Sequence, residues 1–401
     1  MKTTSHIQPT AAQAADKAKS SFVPRHLGLT MPGVLASLIL ATGVTHAATY
    51  TWDILSAGDG NGVVDDGSGT WDTTTRNWTQ DGGTTNVVDA SGGTDDQIFG
   101  TGTAGAAGTV TLGTDFTTGK LTFNEANGGG AYTLDLGGNK LTLSTGANSI
   151  LVNSDATISG GDLQLSGTNI NKFNLQGGST LTVSANIVGT GIIGSNGGSG
   201  TTILSGSNST TGALSVNRST VQIDTIGLKG VNSNAGAGTE VQLGDFAVLN
   251  YTGSGDTTDR DLSLSGGATL GSSPEINNNG SGTLNWTSGT FTNTRSTDGE
   301  LVLGGSFASA DNTFGLNITD GLSSTTSVKV ADQGDWILSG VSTFTGDLTL
   351  RNTAEAIIGG SGQLGAGNYA GNVVMVNSSK FTYYSSADQV ISGVISGINT
   401  S

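Results

Sequence analysis

The chain has no cysteine, so an exported form would gain nothing from disulfides. Histidine is confined to His6, His26 and His46, all within the leading segment 1–47. That segment reads as an export signal. Lys2, Lys17, Lys19 and Arg25 form a basic lead, an apolar run extends from Val34 to Val44, and Thr45-His46-Ala47 supplies a small residue for cleavage. Met31 offers an alternative start. A run of about a dozen apolar residues is too short to span a bilayer, and no integral span is expected after cleavage. Without the leader the chain has neither His nor Cys. That excludes Ser–His–Asp and Cys–His catalysis and zinc sites built on those ligands. No GxxxxGK[ST] phosphate loop is present, and no cofactor is expected.

Positive charge is also scarce. The leader holds four of the 15 basic and one of the 31 acidic residues, so the remainder carries 11 against 30, a net charge of −19. Such a surface repels nucleic acid and anionic membranes. Three of the four prolines fall in the leader, and only Pro274 is left. Low hydrophobicity with high charge is the usual mark of disorder, but the patterning of the remainder speaks against it.

From about Leu112 onward, short apolar–polar alternations recur between Gly, Asn, Asp and Ser. Leu134-Asp135-Leu136, Leu163-Gln164-Leu165, Val241-Gln242-Leu243 and Val328-Lys329-Val330 are examples. Period-two alternation predicts half-buried strands, with turns in the gaps. One segment occurs twice without a gap: ILSGSNSTTGALSV at 203–216 and ILSGVSTFTGDLTL at 337–350. The apolar spacing is expected to continue, with Val221 and Ile223 matching Glu355 and Ile357. An echo of this kind marks a stacked-repeat architecture. The expected fold is all-β, a right-handed parallel β-helix or β-solenoid with an N-terminal cap. Coils of ~20–25 residues, roughly 12–15 of them at ~4.8 Å per strand, give a rod of about 60–70 Å. The domains expected are a signal peptide (1–47), a Trp-rich cap (48–110) and solenoid repeats (111–401).

Three of the five tryptophans, Trp52, Trp71 and Trp78, crowd into one short stretch near the start of this remainder. They are expected to close the exposed end of the core; the alternative is a carbohydrate-stacking platform.

Carboxylate chemistry is the catalytic route left open, since glycoside hydrolysis needs only two acids at a set separation. The pairs are Asp65/Asp66, Asp95/Asp96 and Asp259/Asp261. Adjacent strand residues point to opposite faces, which favours reading the first two pairs as solvated turn acids. Asp259 and Asp261 could share a face, but they flank Arg260, and solvated turn acids are the plainer reading for this pair as well. Asp59, Asn61 and Asp65 offer the oxygen ligands calcium uses. The EF-hand pattern fails at Val63 and Thr70, so a tight Asp/Gly turn is the plainer reading.

The two ILSG…TG-x-L segments, the stretch Thr258-Asp259-Arg260-Asp261-Leu262-Ser263-Leu264-Ser265-Gly266-Gly267, the Val188–Gly191 and Val394–Gly397 pair, and GTWDTTTRNW together resemble proteins with autotransporter-associated β-strand repeats, also called passenger-associated transport repeats. The resemblance implies a β-helical passenger, secreted or held at the cell surface or outer membrane of a Gram-negative bacterium. Its partners would be surface glycans or other cell-surface proteins. Full autotransporters end in a membrane barrel with strands of ~9–11 alternating residues. The tail before Ser401 shows none, and reads as a truncated gene product or a short secreted relative. The expected function is a noncatalytic surface scaffold or adhesin. The alternatives are a polysaccharide lyase or hydrolase, or a carbohydrate-binding module centred on the tryptophans. The few Lys and Arg, scattered singly, make a lyase site hard to assemble.

Overall fold

The structure is a computed structural model that describes residues 47–54, 60–89, 93–100, 102–169, 172–267 and 272–398. Residues 1–46 of the leader and Asp59 lie outside the described residues. Short strands of two to six residues follow one another around a coil, and each pairs in parallel with its counterpart one coil away. The longest column is a fourteen-stranded sheet that begins at Gly69–Trp71 and ends at Ile395–Ile398. A twelve-stranded sheet forms a second side. A four-stranded sheet early and a six-stranded sheet late form a third. Thirteen steps of ~4.8 Å along the longest column amount to about 60 Å. Coil length varies: the step from Thr201 to its partner Thr220 is short, and the next, from Thr220 to Val248, is half as long again.

The alternation read from the sequence becomes columns of like side chains. Leu134, Ile158, Val183, Leu204, Ile223 and Tyr251 are successive partners in the long sheet. All are almost fully buried, each stabilising its coil by about 1.5–3 kcal/mol relative to exposure. Where the neighbouring column places Thr202 inside, Ser195 Oγ lies 2.9 Å from its hydroxyl and accepts from Ser219 at 3.0 Å. The buried hydroxyls therefore satisfy one another.

At the N-terminal end the direction changes. Thr49–Trp52 pairs antiparallel with Trp78–Thr79, which pairs antiparallel with Asn86–Val87. Trp52, Trp71 and Trp78 meet there edge to face, with centroids 5.0 Å apart for Trp52–Trp78 and 5.2 Å for Trp71–Trp78, above Phe99. At the other end Tyr384, Val390, Val394 and Ile395 are all more than half exposed.

The ILSG echo sits on different sides in its two copies. The first joins a strand of the long sheet, Thr201–Leu204, to one of the twelve-stranded sheet, Leu214–Asn217. The second joins Trp336–Leu338 of the six-stranded sheet to Leu348–Leu350 of the long sheet. The two copies are therefore offset by five coils plus one side. What repeats is a corner device. Asn208 Oδ1 accepts the Ile187 N–H at 2.7 Å, and the Ser209 and Thr210 amides donate to the Ile187 carbonyl at 2.9 and 3.1 Å. In the second copy Ser342 Oγ accepts from Ile318 N–H at 3.1 Å, while the Thr343 and Phe344 amides reach the Ile318 carbonyl at 2.8 and 3.2 Å. Leu214 and Leu348 both point inward. The spacing beyond them slips by one residue. Ala356 and Ile358, not Glu355 and Ile357, take the places of Val221 and Ile223, because two left-handed residues, Asn352 and Thr353, lengthen the corner that Arg218 turns alone.

The motif glycines are set by close approach. A Cβ on Gly206 would lie 2.2 Å from the Ala185 carbonyl oxygen, and one on Gly340 would lie 2.3 Å from that of Leu316. Gly340→Ala should therefore cost about 1–3 kcal/mol. Gly146→Ala, where nothing stands within 4 Å, should be nearly neutral. Thermal unfolding of the two variants side by side checks this; equal midpoints would refute the close-approach explanation.

Candidate functional site

The sequence-predicted acids are engaged with the chain itself. Asp65 and Asp66 are buried, which corrects the reading of this pair as solvated turn acids. Asp65 accepts from Asn61 Nδ2 at 2.8 Å, and Asp66 accepts from the Tyr132 hydroxyl at 2.7 Å, so each has its own partner. Asn61 Oδ1 takes the Val63 N–H at 2.8 Å. The turn thus closes on itself, and among the described residues no group of three or more acids is gathered for a metal. Asp95 receives the Ala48 N–H at 2.7 Å, and burial pushes the Asp96 carboxyl up despite nearby Lys120.

Asp53 is the acid that sequence reasoning missed. It is 1 % exposed, and burial raises its pKa even though its Oδ1 accepts the Asp65 N–H at 2.9 Å. Its Oδ2 has no hydrogen-bond partner among the described residues. The signal was its place directly after Trp52, at the wall of the aromatic cluster.

Asp259 sits in the corner before the strand Asp261–Leu264, and both carboxylates reach a loop of this chain. Asp259 Oδ1 accepts the Lys229 N–H, and Asp261 Oδ1 pairs with Lys229 Nζ, both at 2.8 Å; Asp261 also accepts from Thr290 N–H at 2.6 Å. Between them Arg260 is fully buried. Its guanidinium donates to the carbonyls of Ile226 at 3.0 Å, Gly227 at 3.2 Å and Gly236 at 2.7 Å, and also to Gly238. Asp256 Oδ2 accepts from the Ile226 and Gly227 amides at 2.7 and 3.0 Å. The stretch that carries the family resemblance is thus a clamp on the 226–238 loop.

The three tryptophans weighed as a sugar platform are fully buried, and none offers a ring face to solvent. Trp52 donates its indole N–H to Gly67 O at 2.9 Å, and Trp71 donates to Asp89 at 3.1 Å. Their rings are spent on one another and on the end of the core.

Open space lies elsewhere, along the corner where the twelve-stranded sheet turns into the fourteen-stranded one. One groove of ≈ 500 Å³ has a polar rim that includes Glu125, Asn153, Asp155 and Gln176. A second, of ≈ 470 Å³, is lined by Ser199, Arg218, Thr220, Phe246 and Val248. Three successive corners build it: the Ser199 N–H reaches Arg218 O at 3.2 Å, and the Arg218 N–H reaches Asp245 O at 2.7 Å. Phe246 is 49 % exposed. Asp245 lies beneath, 3.6 Å from Arg218 and 3.8 Å from the buried Arg295. Burial alone would raise its pKa. Hydrogen bonds from Gly267 N–H and Ser272 and the two guanidiniums outweigh that and hold the carboxyl below its usual range.

No helix among the described residues is long and apolar enough to cross a membrane. No family model and no solved structure matches the chain. The chain is 26% identical, over 438 aligned positions, to the adhesin BmaC autotransporter of Brucella suis biovar 1 (strain 1330). The match covers 88% of this chain and 12% of that protein's length. Its parallel coils, its corner motifs and this similarity together make the chain a β-solenoid repeat protein similar to part of an autotransporter adhesin.

Proposed function

We propose that the chain is a noncatalytic passenger rod, carried to the outer surface of a Gram-negative cell and serving there as scaffold or adhesin. The observation that carries this reading is the commitment of its acids. Asp65, Asp66, Asp259 and Asp261, acids that the sequence offers in pairs, are hydrogen-bonded to amides, a hydroxyl or Lys229. A general acid and base must instead be free to face a bond between them. The similarity to an adhesin supports the same reading. The expected result is that the purified chain leaves pectin, alginate and β-glucans uncleaved, with or without calcium. Release of reducing or unsaturated ends, lost in the Asp259→Asn, Asp261→Asn double variant, would replace this reading with the polysaccharide-active one. Protease treatment of intact cells, which should remove the chain while cytoplasmic proteins survive, tests the location.

A further inference from the structure

The corner between the twelve- and fourteen-stranded sheets is often turned by glycine. Gly177 and Gly178 hold left-handed φ values of +61° and +80° upstream, and Gly266 and Gly267 hold +86° and +92° downstream. Between these pairs the chain places Arg218 at φ +52° and Phe246 at +50°. A bulky residue in this region is an outlier that costs of order 1 kcal/mol or more, and two successive coils carry one each. Neither gains burial in return. Phe246 leaves half of its surface in water, and the Arg218 side chain is 51% exposed. Unrewarded strain at an open groove is the pattern of a binding surface.

The chemistry of the groove narrows the ligand. The Phe246 ring offers an apolar face, while Ser199 and Thr220 bring hydroxyls to the same groove. Arg218 approaches Asp245, its one ionic partner among the described residues, only to 3.6 Å, and Asp245 is shared with Arg295. Two guanidiniums against one carboxylate leave a local surplus of positive charge in a chain whose net charge is strongly negative. A planar guanidinium with free donors suits a carboxylate bidentately. Three corners at ~4.8 Å per coil span about 10 Å, the scale of a disaccharide.

We propose that the Phe246–Arg218 groove binds a glycan bearing carboxylated sugars, with a sugar ring stacked on Phe246 and its carboxylate held by Arg218. The proposal deepens the passenger reading and rests on it for the surface on which such a glycan is met. The probes are 4-linked digalacturonic acid and its methyl ester, titrated calorimetrically into the full chain. The acid should bind saturably, and more tightly than the ester. Arg218→Gln should weaken the acid about tenfold and leave the ester unchanged. Phe246→Gly should weaken both while its thermal midpoint equals or exceeds that of the parent, since glycine relieves the strained φ. Absence of saturable acid binding, equal affinity for acid and ester, or full binding by Phe246→Gly would each overturn the proposal. A chain that adheres to cells without binding the uronate would overturn it and leave the passenger reading standing. Uronate binding by a chain not found at the cell surface would do the reverse.

Discussion

Replacing Arg260 with alanine is expected to release the 226–238 loop from the solenoid at a cost of about 3–5 kcal/mol. Among the described residues the guanidinium has no carboxylate in contact; it is held by the backbone carbonyls of Ile226, Gly227, Leu228, Gly236 and Gly238. Burial consequently draws its pKa down from the ordinary arginine value. Truncation leaves several buried carbonyls without donors, and each unsatisfied group costs about 1–3 kcal/mol before water enters. It also removes a side chain whose volume fills the space beneath the loop. Trp286, which donates to the Arg260 carbonyl at 2.6 Å, keeps its bond because that contact is to the backbone. Amide exchange should therefore accelerate through 226–238 while Gly282–Trp286 changes little. Lysine should rescue only part of the effect, since one ammonium cannot reach five carbonyls arranged around a fork. Unchanged exchange in the loop of Arg260→Ala would mean that the Asp256 and Asp259 contacts suffice without it.

Aspartate at Leu338 should be at least as damaging. Leu338 is 3% exposed and lies between Phe314 and Ile358 in its column. An unpaired carboxylate there faces an effective penalty of several kcal/mol. In a stack whose coils contact only their neighbours, the loss should appear first in adjacent strands. Exchange is expected to rise at Asn312–Phe314 and Glu355–Ile358 and to stay near parental levels at Ala156–Ser159. Leu204→Asp should shift the same disturbance to the strands at Val183 and Ile223. A uniform rise along the whole rod would argue for one cooperative unit and against the nearest-neighbour picture.

The strands were legible because their information is local. Leu163-Gln164-Leu165 or Val241-Gln242-Leu243 announces an inward face with no knowledge of neighbours, and the structure keeps those faces. Which side of the coil a strand occupies is not local. It depends on the summed length of every preceding corner, so the same ILSG motif appears on two sides. Burial of polar groups was hidden for the same reason. Asp66 looks like a turn acid until Tyr132, far along the chain, donates its hydroxyl to it. The clustering of the tryptophans is plain in the sequence, but clustering alone does not distinguish a plug from a platform. Phe246 escaped notice because a lone aromatic in a Gly-Asp-Phe-Ala turn has no periodicity. Its significance emerges only when the glycine corners on either side are aligned with it.

The displacement of the ILSG corner by one side has a bearing on how rods of this kind change over generations. Removing the stretch 204–337 would join Ile203 to Leu338 and leave one intact copy of the motif at the junction. The shortened rod would lose five coils, about 25 Å, and one side more. Everything beyond the join would swing about the long axis by roughly a third of a turn, because Leu348–Leu350 would enter the twelve-stranded column instead of the fourteen-stranded one. Recombination between such motifs therefore resets the compass bearing of a distal surface as well as its reach. A lineage could re-aim what the far end presents to its surroundings without altering a single residue of that end.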